Sequence, residues 1–171
     1  MSIIEHRFRS ATKSQYHAAL DMMHHCIKEC SVDLWTSPHF VNPYWRIVYH
    51  TLFYFRLYLH QDLDDHVHWE RHRKGAQNLT LDPNATEVEP YSKKNMSDFV
   101  EHCHMMVDDA VDHMDLTRDD CGFYWYKVAK LEHMMVNLRH LQHHIAQLQD
   151  RLRNVENVGV KWVRAQDQIK T

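Results

Sequence analysis

The most regular pattern in the chain lies in its C-terminal third, where Leu131, Met134, Leu138, Leu141, Ile145, Leu148 and Leu152 recur in alternating steps of three and four. That spacing lines them along one side of a helix, as the seam by which a helix packs in a bundle, and it predicts a helix over about 122–154. Three other stretches carry the same period. Phe8, Ala11, Tyr16, Ala19, Leu20, Met23, Ile27 and Cys30 define a first helix over about 5–29, unbroken by Gly or Pro. A second helix starts at Asn42 and Pro43, since Asn caps and Pro fits a first turn, and runs to about His60. Ser92 is placed to cap a third through about Met114, with Phe99, Val100, Cys103, Met106, Val107, Ala110 and Val111 on its buried side.

Between the second and third helices, residues 61–90 are charged, contain Gly75, Pro83 and Pro90, and show almost no apolar period. Structureless connections rarely exceed about 12–15 residues in a compact domain, so this stretch reads as a long surface crossover. Trp69, among His66, His68 and His72, reads as part of its solvated face. Residues 158–171 read as a tail, docked through Trp162. The expected architecture is all-α: one four-helix bundle domain over 1–157 with a long crossover between helices two and three, then the tail.

Composition narrows this further. Hydrophobic residues are 44% and charged ones 25% of the 171, a globular balance, while 3 Gly and 4 Pro are too few for a sheet protein with many tight turns. The net charge of -3, with both signs interspersed, leaves no basic stripe for nucleic acid. The segment MSIIEHRFRSATKSQ is charged where a signal peptide needs an apolar run, and no stretch of about 18 apolar residues is present for a bilayer, so no membrane partner and a cytoplasmic location are expected. Cys26, Cys30, Cys103 and Cys121 form no C-x-x-C pair and read as buried thiols.

The outlier is 17 His. One step along the last helix from its seam runs a polar stripe of His133, Asn137, His140, His144, Gln147 and Arg151, about 100° around the helix, facing solvent or a cleft. His140 and His144 stand one turn apart, within reach of one metal ion. Alone, such a pair reads first as a solvated helix face, as His68 and His72 illustrate. His50 falls on the line of Ile47, Phe53, Tyr54 and Leu57, so its imidazole points at the core and needs a hydrogen-bond partner or a metal. A ferritin-like di-iron site needs two Glu-x-x-His units, and only Glu101 to His104 is present; His102 and His104 read as solvated positions on different sides of their helix. No G-x-S-x-G elbow supports Ser-His-Asp catalysis.

The segments NPYWRIVYHTLFYFRLYL around His50 and NLRHLQHHIAQLQDRLR around His140 and His144 resemble the two histidine signatures of the DinB/YfiT-like superfamily, in matching order along most of the chain. The resemblance implies a bundle, often dimeric, in which His50, His140 and His144 bind one divalent metal such as Zn, Ni or Fe, and His143 points elsewhere. It also implies metal-dependent transfer involving low-molecular-weight thiols.

Three neutral imidazoles leave a position open, the mark of a catalytic site, and a coordinated thiol becomes the attacking thiolate. The expected function is metal-activated thiol transfer to a small electrophile by a homodimer, with Asn137 and Glu132 as candidates to orient a ligand or accept a proton. Two alternatives stay open: a metal-dependent hydrolase, and a non-catalytic metal-binding or stress-response protein.

Overall fold

The computed structural model describes residues 2–80 and 88–165, so Pro83 and the end of the tail lie outside the described residues. These form α1 (Ile3–Glu29), α2 (Val32–Trp35), α3 (Tyr44–Leu57), a 3-10 turn (Leu63–Asp65), α4 (Lys93–His113) and α5 (Lys130–Glu156), with no strand among them. The all-α reading holds. None of these helices is long and apolar enough to cross a membrane.

Helix starts follow local chemistry. The hydroxyls of Ser2, Ser31 and Ser92 each accept from the backbone N–H three residues on, those of Glu5, Leu34 and Asn95; such caps satisfy N–H groups that have no partner within a helix. The expected cap at Asn42 is displaced by one residue. Pro43 occupies the cap, its carbonyl accepting from Arg46 and Ile47, and the Asn42 carbonyl instead accepts from Arg151.

α1 packs along α4 and α5, and α3 packs along the same two helices. The core between them holds Tyr16, Leu20, Met23, Tyr49, Leu52, Phe55, Phe99, Val107, Leu141 and Ile145. Arg9 fastens α1 to the end of α4, donating to the carbonyls of Val111 and Met114 while paired with Glu5. All four cysteines are free and buried.

α5 begins eight residues later than the apolar spacing predicts. Gly122 has φ +79, and a Cβ there would stand 2.5 Å from the Gln61 carbonyl oxygen; the turn is open only to Gly. Residues after it run irregularly over the end of α3, anchored by buried Phe123 and by Lys130. The Lys130 ammonium is fully buried and donates to the carbonyls of His60 and Cys121, and burial lowers its pKa to about 8. Leu131, placed in the seam from sequence, is 38% exposed.

The 61–80 stretch is not merely a solvated face. Trp69 is 8% exposed and stacks on Phe99 with ring centroids 4.3 Å apart and planes 5° apart. Tyr91 extends the fastening: its hydroxyl donates to the Arg71 carbonyl and accepts from the Arg73 N–H, while its ring stacks on Tyr49. In the tail, Trp162 is 64% exposed, and Val158, Val160 and Val163 are the side chains packed on the core.

Candidate metal centre

α3 and α5 lie side by side, and the polar stripe of α5 faces the cleft between α5 and the aromatic side of α3. His133, Asn137 and His144 are buried there. His50 comes from the middle of α3 and His140 and His144 from successive turns of α5, so their rings converge, with centroids 5.2 Å (His50–His140), 4.7 Å (His50–His144) and 4.7 Å (His140–His144) apart. One ring nitrogen of each lies within 4.8 Å of the other two, an arrangement that can hold a metal ion. No Asp, Glu or Cys joins the group among the described residues.

The outer nitrogens of His50 and His144 are committed elsewhere, while His140 Nδ1 is buried without a partner. His50 Nδ1 lies 2.6 Å from the Gln77 carbonyl oxygen, and a carbonyl only accepts, so Nδ1 carries the proton and Nε2 keeps its lone pair. His144 Nδ1 is held in the same way by Gln147 Oε1 at 2.8 Å. His50 Nε2 and His140 Nε2 face each other at 3.2 Å. Two nitrogen donors on a tetrahedral zinc, each at about 2.0–2.1 Å, stand about 3.3 Å apart.

Burial lowers the basicity of all three rings. It brings His50 down to about 4 against the upward pull of the Gln77 carbonyl, brings His140 to about 3 with help from the neighbouring imidazoles, and lowers His144 against the pull of Gln147. The rings are therefore neutral near pH 7, the state in which imidazole ligates. A stability consequence follows by linkage. The folded-state values lie below the ordinary imidazole value of about 6.5, so between about 6.5 and about 4 the unfolded chain binds protons that the folded chain refuses. The metal-free protein should lose stability as pH falls through that window, by on the order of several kcal/mol across the pair. Urea midpoints at pH 7, 6 and 5 in the presence of a chelator check this; a flat profile would contradict it.

Other residues singled out from sequence sit differently. His143 is exposed and meets the group only through an edge contact with His144. Glu132 is exposed, and Asn137 donates to the Phe55 carbonyl, tying α5 to α3. His133 is fully buried against Phe123 and Tyr58, with neither ring nitrogen partnered. His102 and His104 do point to different sides of α4, but neither is simply solvated: Arg56 Nε donates to His102, and His104 Nδ1 meets His17 Nδ1 at 2.8 Å.

Sequence reading missed the aromatic surroundings. Tyr54 packs against His50 and His140 at centroid distances of 4.8 and 5.8 Å, and Tyr58 lies 6.4 Å from His140. Their spacing at successive intervals of four from His50 was the available signal. The Gln77 carbonyl had none, because a backbone group in an irregular segment leaves no trace in residue type.

No protein-family model, no curated protein and no solved structure matches this chain.

Proposed function

We propose that the chain is a DinB/YfiT-like four-helix bundle with its long crossover between α3 and α4, and that His50, His140 and His144 bind one divalent metal for thiol transfer to a small electrophile. The observation that carries this is the convergence of His50 Nε2 and His140 Nε2 at 3.2 Å while the far nitrogens of His50 and His144 are spent on Gln77 and Gln147. Histidine ligands characteristically donate their other N–H to a carbonyl or carboxamide in this way, which fixes ring orientation and tautomer. The segments around His50 and around His140 and His144, with their resemblance to the superfamily, support the same assignment.

A divalent ion held by His50, His140 and His144 would supply charge that stabilises a thiolate. The protein's own groups do the rest. Gln77 and Gln147 hold two imidazoles in register, and the three rings stay neutral near pH 7 because they are buried. Tyr54 shields the side of the group where His50 and His140 meet. In the transfer the thiol would give up its proton to water, sulfur would bond to the electrophilic carbon, and the leaving group would depart with the bonding pair.

The test is spectroscopic. Cobalt is substituted into the protein, and 2-mercaptoethanol, cysteine and their alcohol analogues are added singly near neutral pH. At least one thiol should give a sulfur-to-cobalt absorption band that the alcohols do not. Thiol transfer is ruled out if no thiol perturbs the spectrum while esters or amides are cleaved without thiol, the behaviour of a hydrolase. Unchanged spectra with no turnover would instead mark a coordination sphere closed to ligands.

A further inference from the structure

A cavity of about 580 Å³ opens directly beside the histidine group, and His50 and His140 form part of its wall. Its volume falls in the range of small-molecule sites, about 300–1,000 Å³. Tyr54 of α3 and Tyr58 just after it line one side, Leu63, His66 and His68 of the crossover a second, and Trp125 and Tyr126 a third from the irregular stretch before α5. No Asp, Glu, Lys or Arg lines it among the described residues.

The rim is unusual for a folded surface. Tyr124 is 75% exposed and Trp125 39% exposed, in an edge-to-face pair with centroids 4.7 Å apart. Phe123, two residues before Trp125, is 2% exposed and anchors the segment, so the outward pair is displayed from a fixed base. Trp125 Nε1 donates to the Tyr58 hydroxyl at 3.3 Å, which ties the rim to the wall. Adjacent exposed aromatic rings beside a cavity are surface that folding has not covered, the property expected of a ligand site. The Tyr54 ring stands at the histidine end, its centroid 4.8 Å from that of His50.

We propose that this cavity binds a small uncharged aromatic compound, its ring among Tyr58, Trp125 and Tyr126 and a polar atom turned toward Tyr54, His50 and His140. Aromatic walls favour a planar π system through offset and edge contacts. In the zinc-free protein an anionic ligand would lose its hydration here with no Lys or Arg side chain to replace it, and a polar aliphatic one would forgo the ring contacts. The proposal names the class of electrophile for the transfer above. Its polar end rests on the metal reading, and its aryl half does not.

Binding of benzyl alcohol, cyclohexylmethanol, benzoate and benzyltrimethylammonium is measured by calorimetry on the zinc-loaded and the zinc-free protein. Benzyl alcohol should bind both forms, more tightly with zinc, and in the zinc-free form about tenfold better than any of the other three. Trp125→Ala should weaken it about tenfold and Trp125→Phe should recover most of the loss, with zinc content and helicity unchanged in both. The proposal is overturned if, in the zinc-free form, cyclohexylmethanol binds equally well or either charged probe is preferred, or if Trp125→Ala leaves the affinity intact. Benzyl alcohol binding as expected in a chain that holds no zinc would sink the metal reading alone. Zinc bound at one ion per chain without aryl binding would sink this proposal alone.

Discussion

Replacing His50, His140 or His144 by Ala should strip the protein of its metal, from about one ion per chain to less than about a tenth of that after dialysis. Each contributes one of only three ring nitrogens in the group, and no carboxylate or thiolate stands by to substitute among the described residues. The four thiols are no reserve: all are buried, and burial raises Cys26 and Cys30 to about 12. His143→Ala should keep its full metal content, because that ring is exposed and outside the group. His140→Ala is the cleanest of the three. His140 Nδ1 is buried without a partner, so truncation removes no outer hydrogen bond and the metal-free fold should be little changed. Added zinc should raise the melting temperature of the wild-type and His143→Ala proteins, as any ligand of the folded state does, and leave the three ligand variants unmoved. An equal loss of metal in His143→Ala would mean that the other side of α5 carries the site.

Trp69→Ala should be among the most destabilising single substitutions, at about 3–5 kcal/mol. In a domain of this size that corresponds to a melting temperature lower by roughly 10 °C. Trp69 fills the space between Phe99 on α4 and the Tyr49–Tyr91 stack, and nothing nearby can collapse into the hole without disturbing those stacks. Trp69→Phe should recover much of the loss by keeping a flat ring on Phe99. Chemical denaturation of both variants measures the effect. A Trp69→Ala protein as stable as wild type would mean that the 61–80 segment is not fastened to the core.

That expectation runs against the sequence, and the reason is physical. A solvated turn and a segment pinned by one aromatic ring have nearly the same composition, because the pinning is done by a single side chain and by backbone groups such as the Arg71 carbonyl that accepts from Tyr91. Periodicity locates long helices, and it placed α1, α3, α4 and most of α5, since each must present a continuous face to its neighbours. It failed at 122–129, where Phe123 and Tyr126 keep a helical interval while Gly122, at positive φ, turns the chain against Gln61. The four-residue α2 was below the length at which any period can be read.

The histidines divide in the same way. One turn of spacing was enough to put His140 and His144 together, and the apolar neighbours of His50 were enough to aim it inward. Which nitrogen of each ring faces the centre depends on Gln77 and Gln147, and that required coordinates. The aromatic cavity beside them was hidden for another reason: its walls come from α3, from Leu63, His66 and His68 of the crossover, and from a stretch that sequence assigned to helix.

X-ray absorption at the zinc edge of the reconstituted protein tests the central claim most directly. The expected spectrum has three imidazole nitrogens at about 2.0–2.1 Å, one further oxygen or nitrogen donor, and no sulfur. Fewer than three imidazoles, or a sulfur shell at about 2.3 Å, would contradict the site formed by His50, His140 and His144.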